Sequence, residues 1–246
     1  MKVFNLISGP RNISTALMYS FAQRDDCTVV DEPFYGYYLY HTKSRAPHPS
    51  EDEIMAGMSL DYHQIVADVE RASNDKHVFV KGMAHHLNME EPDFLLEWKN
   101  VFLIRKPANL IASFSKVIQD PTIDDIGYKQ SLKLIGFLRQ HHVPFVVIES
   151  DELLTNPENY LQQLCAYLGI PFSTDMLHWQ PGPVAQDGIW ARHWYQSVHA
   201  STGFEPRKPS PAKVPERLAP LLAEAEVYYK MLKPFILKNS THATNL

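Results

Sequence analysis

Cysteine is scarce in this chain: two in 246 residues, Cys27 and Cys165, each in apolar surroundings. A disulfide framework is not expected, and the pair reads as two buried free thiols. Long apolar runs are missing. No window approaches the roughly 18 uncharged apolar residues of a membrane-spanning helix. The opening MKVFNLISGPRN carries one lysine and a five-residue apolar run, too short for the apolar region of a secretory signal. The expectation is a cytoplasmic protein with soluble partners and no membrane. Excess positive charge is also lacking: 23 Lys and Arg against 28 Asp and Glu give a net charge of −5. That argues against a general nucleic-acid or membrane-surface binder and leaves room for a local basic pocket. Internal repeats and long low-complexity tracts are absent. The composition, 45% hydrophobic and 21% charged, is that of an ordinary globular protein. A single domain over residues 1–246 is the default at this length, with the polar stretch 238–246 frayed.

What is present is an alternation. Short apolar runs rich in Val, Ile or Phe stand at 3–7, 28–30, 77–80, 101–104 and 145–148, as in strands buried on both faces of a parallel sheet. Helix-like stretches cover 14–23, 53–73, 107–117, 126–140, 157–168 and 215–232. Pro107 suits a helix start and Gly169 a helix end. The pattern predicts an α/β fold: a central, mostly parallel sheet between two layers of helices. Ligands of such sheets sit beyond the carboxyl ends of the strands. Residues 174–212, rich in Pro, Gly, Trp and His and without periodicity, are expected to form a long ordered loop over the site.

Residues 7–24, ISGPRNISTALMYSFAQR, join the first run to the first helix-like stretch. A helix start after a tight turn favours anions through its free N–H groups and dipole. Here Arg11, Ser14 and Thr15 add a guanidinium and two hydroxyls. The ATP-type loop GxxxxGK[ST] needs glycine, lysine and a magnesium-binding hydroxyl where this chain has Ser14, Thr15 and Ala16. A kinase or ATPase is therefore disfavoured, and a plain Ser/Thr-capped helix start remains open. A second anion segment, NVFLIRKPANLIASFSK, places Arg105 and Lys106 between a strand end and a helix start, with Ser113 inside that helix.

Together these segments resemble the sulfotransferases that use 3′-phosphoadenosine 5′-phosphosulfate (PAPS). SGPRNISTAL is similar to the 5′-phosphosulfate loop, with Pro10, Arg11 and Thr15 in the family pattern and Asn12, Ile13 and Ser14 as variations. FLIRKPANLIASFSK resembles the 3′-phosphate motif, an Arg followed eight residues later by a Ser, here Arg105 and Ser113. VVIESDELLTNPENYLQQLCAYLGIPF resembles the strand–loop–helix that follows, and DGIWARHW the C-terminal Gly-x-x-Gly-x-Trp segment. The resemblance implies a P-loop-like fold, PAPS as donor, 3′,5′-adenosine bisphosphate as product, and a hydroxyl or amine of a small soluble acceptor.

On that reading transfer is in line, and the protein positions groups and stabilises charge. Arg11, with the loop N–H groups, Ser14 and Thr15, is the candidate for the leaving phosphate. No metal-ligand spacing appears and none is required. Two places offer a general base. Glu32 follows a strand-like run in VVDEPF, as in several branches of the family. His85 and His86 follow the third run in FVKGMAHH, which is similar to the Lys-Thr-His segment of cytosolic members with two residues inserted. Lys81 is placed to orient donor or acceptor. Tyr35, Tyr37, Tyr38 and Tyr40 suit either an acceptor pocket or a core helix. Trp190 and Arg192, in the long loop with His193 and Trp194, are candidates to stack on the donor's adenine or to close over the acceptor, with plain loop packing as the alternative. The alternatives are a phosphotransferase with a degenerate loop and a nucleotide-binding protein without turnover.

Overall fold

A computed structural model describes residues 1–42, 48–88, 92–205 and 212–237. Residues 206–211 of the long loop and the tail at 238–246 lie outside the described residues. Five strands, β1 (Val3–Ser8), β2 (Cys27–Asp31), β3 (His77–Met83), β4 (Lys99–Ile104) and β5 (Phe145–Glu149), form one sheet in the order β2-β3-β1-β4-β5. Every neighbouring pair is parallel. Each coincides with an apolar run of the sequence, extended by one to three residues at an end.

The three inner strands and β5 are buried along nearly their whole length, so their runs read as continuous rather than alternating. The alternation is there in space. Phe4 and Leu6 face one core with Phe79, Val101 and Leu103, while Val3 and Ile7 face a second core with Val78, Val80, Phe102 and Ile104. Asn5 and Asn100, opposite one another across β1 and β4, are buried and satisfied. Asn5 Nδ2 donates to Asn100 Oδ1 at 3.1 Å, and Asn100 Nδ2 donates to the carbonyls of Leu95 and Trp98.

The helices are α1 (Ser14–Ala22), α2 (Tyr35–His41), α3 (Glu51–Gly57), α4 (Tyr62–Ala72), α5 (Phe94–Glu97), α6 (Pro107–Phe114), α7 (Tyr128–Gln140), α8 (Ser150–Leu153), α9 (Pro157–Leu168), α10 (Ala191–Trp194), α11 (Gln196–His199) and α12 (Ala219–Leu232). The single helix expected over 53–73 is instead α3 and α4. The chain breaks after Gly57, and Asp61 opens α4 by accepting from the Gln64 N–H at 2.9 Å. The tyrosine-rich segment is the helix α2, packed against α3. At the β5 edge, Ile236 bridges Val147 and the Leu237 N–H donates to the Val147 carbonyl at 2.7 Å.

From β1 the chain fills β2 and β3 on one side and β4 and β5 on the other. The order reverses at β1 and β4, and the loops after these strands flank the crevice. There the backbone is crowded. A Cβ on Gly9 would lie 2.4 Å from the Ile126 carbonyl oxygen, and one on Gly127, at φ +80°, 3.1 Å from the Gly9 Cα. Gly9→Ala should therefore destabilise by about 1–3 kcal/mol, the usual cost of overpacking. Gly136→Ala, in α7 with nothing within 4 Å of its Cβ, should stabilise by about 0.5–1 kcal/mol. Urea denaturation of the two variants checks the pair.

Candidate active site

All five strands contribute to the site through their carboxyl ends. After β1 the chain enters the loop Gly9–Ile13. Arg11 and Ile13 both have left-handed φ, 60° and 63°. For a β-branched residue this is a strained backbone, of the kind found at ligand sites. No side chain caps α1, so the first N–H groups of that helix are open to an anion. The loop is anchored to β4: Asn12 Nδ2 donates to the Leu103 carbonyl at 3.1 Å.

Arg105, just past β4, closes on the same loop. Its Nη1 donates to the Arg11 carbonyl at 2.9 Å, and its Nε lies 3.4 Å from Asp151 at the start of α8. Asn109 Nδ2 also donates to Asp151, at 2.6 Å. The Arg105 carbonyl accepts from the Tyr128 hydroxyl. Arg11 Nε in turn donates to Ser113 Oγ at 3.3 Å. The two expected anion segments thus form one cationic end.

The other end is built where β2 and β3 finish. Their register sets Asp31 opposite Lys81. Lys81 is 2% exposed, its Nζ 3.1 Å from Asp31 and paired with Glu32 Oε1. It also donates to the Tyr195 hydroxyl from the long loop. That hydroxyl donates to Asp31 at 2.9 Å and accepts the Trp190 indole N–H at 3.1 Å, which uses its full capacity. Burial opposes the charge of Lys81, but Asp31 and Glu32 outweigh it and hold its pKa well above the usual lysine value. Burial raises Glu32, against the pull of Lys81. Glu32 is itself left-handed, φ 44°, and its N–H donates to the Lys81 carbonyl at 2.7 Å.

His85 and His86 follow β3 in a 3₁₀ turn. His86 stacks on Tyr35 and Tyr38 of α2, with ring centroids 4.5 and 4.8 Å away. Burial pushes both imidazoles down, His85 to about 4 and His86 well below the usual value, so both are neutral at neutral pH. Tyr35 Oη meets His48 Nδ1 at 2.6 Å.

A cavity of about 590 Å³ joins the two ends. Its walls include Pro10, Arg11, Asn12, Ile13, Ser14 and Thr15, then Arg105 and Ser113, then Glu32, Lys81, His85, His86 and Trp190. Arg192 is placed elsewhere. It is exposed and pairs with Glu53 and Ser50. The described part of the long loop, 174–205, brings Trp194, Tyr195 and Val198, on and between α10 and α11, to the cavity and its buried cluster. Tyr195 and Asp151 carry no sequence mark of their role, since each acts through partners distant in the chain. His48 stands beyond any motif.

A family model of the sulfotransferase domain matches residues 1–235. The chain belongs to the sulfotransferase domain family. Among solved structures it is similar to the sulfotransferase domain from the Synechococcus olefin synthase, with a TM-score of 0.56 and 16% identity over 93% of this chain and 95% of that one. It is also similar to the sulfotransferase domain from the curacin biosynthetic pathway, with a TM-score of 0.52 and 17% identity over 98% and 94%. Both likenesses are of fold. Two Arabidopsis thaliana proteins, branched-chain-amino-acid aminotransferase-like proteins 2 and 1, are each 37% identical over 95% and 98% of this chain. The chain spans about two-fifths of their length, 42% and 43%, so more than half of each relative lies outside the match. Among the described residues no helix is long and apolar enough to cross a membrane.

Lys81→Met should leave two buried carboxylates without their cation and cost about 3–5 kcal/mol at pH 8. The cost should shrink towards pH 5, as the Glu32 carboxyl, whose pKa burial raises, takes up its proton. Urea melts at the two pH values read both. His85 gives a second pH signature. Its folded pKa of about 4 lies below the unfolded value of about 6.5. The unfolded chain then binds more protons in that window, so stability falls as pH drops from about 6.5 to 4. His85→Gln should flatten that slope, with His86 keeping a remainder.

Proposed function

We propose that this sulfotransferase-family chain acts as one domain that moves a sulfuryl group from PAPS to a hydroxyl or amine of a small acceptor. One observation carries the reading: a single cavity has a cationic, hydroxyl-lined helix start at one end and a buried carboxylate–lysine–imidazole group at the other. The cationic end fits the donor by its chemistry. Arg11, Arg105, Ser14, Thr15 and Ser113 supply charge and hydroxyls to a phosphate or phosphosulfate. When bound, PAPS supplies the sulfuryl group and a phosphate leaving group.

The chain's own residues then have separate duties. Arg105, held by Asp151 and by the Arg11 carbonyl, binds the 3′-phosphate together with Ser113. The N–H groups at the start of α1, with Ser14 and Thr15, hold the 5′ side. Arg11 bridges the two through Ser113 and offsets charge on the leaving phosphate. The Glu32 end takes the acceptor's proton. Trp190, Trp194 and Tyr195 cover the cavity and exclude water, which strengthens each charge interaction inside.

The test is calorimetric titration, without metal, against 3′,5′-adenosine bisphosphate and separately against ATP. Tight bisphosphate binding with weak ATP binding is expected. Arg105→Ala should weaken bisphosphate binding by more than tenfold, in line with about 1.5–3 kcal/mol for a hydrogen bond to a charged group. Preference for ATP, or a demand for magnesium, would reinstate the phosphotransferase reading. Tight binding with no transfer to any acceptor would leave a binding protein.

A further inference from the structure

We propose that the buried Glu149 carboxylate is a positioning residue for the donor: through the one-turn helix α8 and Asp151 it holds Arg105 in its anion-binding pose. The inference rests on the reading above, in which Arg105 meets the donor's 3′-phosphate.

Contacts run without a break from the core to the cavity. Glu149 ends β5 and is 0% exposed. Its carboxylate oxygens each take one N–H of the next turn: Oε1 accepts from Asp151 at 3.2 Å and Oε2 from Glu152 at 3.0 Å. A helix start leaves such N–H groups without a partner of its own. α8 is a single turn of four residues. A helix that short has too few internal bonds to hold itself, so its cap sets its place. Asp151 rides on that turn. Its Oδ1 lies 3.4 Å from Arg105 Nε, and its Oδ2 accepts from Asn109 at 2.6 Å. Arg105 reaches the anion loop by donating from Nη1 to the Arg11 carbonyl at 2.9 Å.

Packing alone would not call for this side chain. Val146, Val147 and Ile148 before it are apolar, and a buried carboxylate is costly without compensation. The two N–H groups are what compensates it. Burial pushes Glu149 up to about 7, Asp151 adds to the rise, and the N–H groups and Lys106 pull against it. Both protonation states are therefore populated near neutral pH. The other groups facing it are Glu152 of α8, Tyr128 of α7, Tyr160 of α9 and Tyr229 of α12. Burial raises the three tyrosines, which stay neutral in this range. An ionised carboxyl is acceptor only and suits both N–H groups; once protonated, one oxygen becomes a donor and serves its N–H poorly. The ionised form is the one that holds α8, so Arg105 is fixed above about pH 7 and loosened below it. Plain repulsion between Glu149 and an anionic donor acts in the opposite sense, so the sign of the pH effect separates the two.

The first readout needs no ligand. The Arg105 Nε–H resonance, followed by nitrogen-15 NMR in the ligand-free wild type, should move between pH 8 and pH 6 with a midpoint near 7. In Glu149→Gln it should sit at the low-pH position throughout. The second readout is calorimetric titration with 3′,5′-adenosine bisphosphate. Glu149→Gln should bind it about tenfold more weakly at pH 8. The gap should close towards pH 6, where the wild type has taken up the proton. Protonation of the bisphosphate itself is common to both proteins and cancels in the ratio. In an Arg105→Ala background, Glu149→Gln should change affinity by less than about twofold, because both act through one contact. A general loosening of the fold would add its loss in either background. An Arg105 resonance that ignores pH in the wild type would overturn the proposal without recourse to any variant. So would an affinity ratio independent of pH, or tighter binding by Glu149→Gln at pH 8, the mark of repulsion alone. Failure of the wild type to bind bisphosphate would count against the sulfuryl-transfer reading instead, and the Arg105 resonance would still decide whether Glu149 holds Arg105.

Discussion

The sharing of one buried ammonium by Asp31, Glu32 and Tyr195 is the interaction on which the rest of this structure depends. Lys81 is desolvated by the inner part of the sheet, a position that would be untenable without anionic partners. The parallel register of β2 and β3 supplies the first partner, the left-handed turn after β2 supplies the second, and the cover segment supplies the third. The cluster therefore ties together strand pairing, loop conformation and the seating of the cover. Gly188 N–H on Asp31, at 3.1 Å, adds the cover's backbone to the same knot.

The anion end has a different logic. There Arg105 and Asp151 are only partly buried and Arg11 is exposed, and each is oriented by a neighbour: Arg105 by Asp151, Asp151 by Asn109, Arg11 by Ser113. Glu149 sets the base of this chain of contacts. It is buried at the end of β5, accepts the N–H groups of Asp151 and Glu152, and is pushed up to about 7 by burial. One end of the cavity is thus built from buried charged side chains, the other from more exposed ones.

Much of this was legible in the sequence, for identifiable reasons. The five strands are short apolar runs with no competing period, and Pro107, Pro157 and Gly169 mark helix ends that need no tertiary context. Four segments in the family's order, from SGPRNISTAL to DGIWARHW, together with their strand context carry the family resemblance. What stayed hidden depends on partners distant in the chain. Tyr195 matters because its hydroxyl reaches Asp31, 164 positions away. The break between α3 and α4 hangs on the Asp61 cap, which an amphipathic pattern running through it conceals. Arg192 shares a short segment with Trp190, yet the helical turn sends it outward to Glu53 while the indole turns inward.

The short pairing of Ile236 and Leu237 alongside Val147 has a consequence for colloidal behaviour. An outermost strand with free N–H and C=O groups is a template for other chains, and β5 is rich in Val and Ile. Two residues laid along it occupy that rim where the strand is most apolar. A chain cut before Ile236 would keep its cavity walls intact while baring a sticky border. Its first fault would be self-association in solution rather than loss of chemistry.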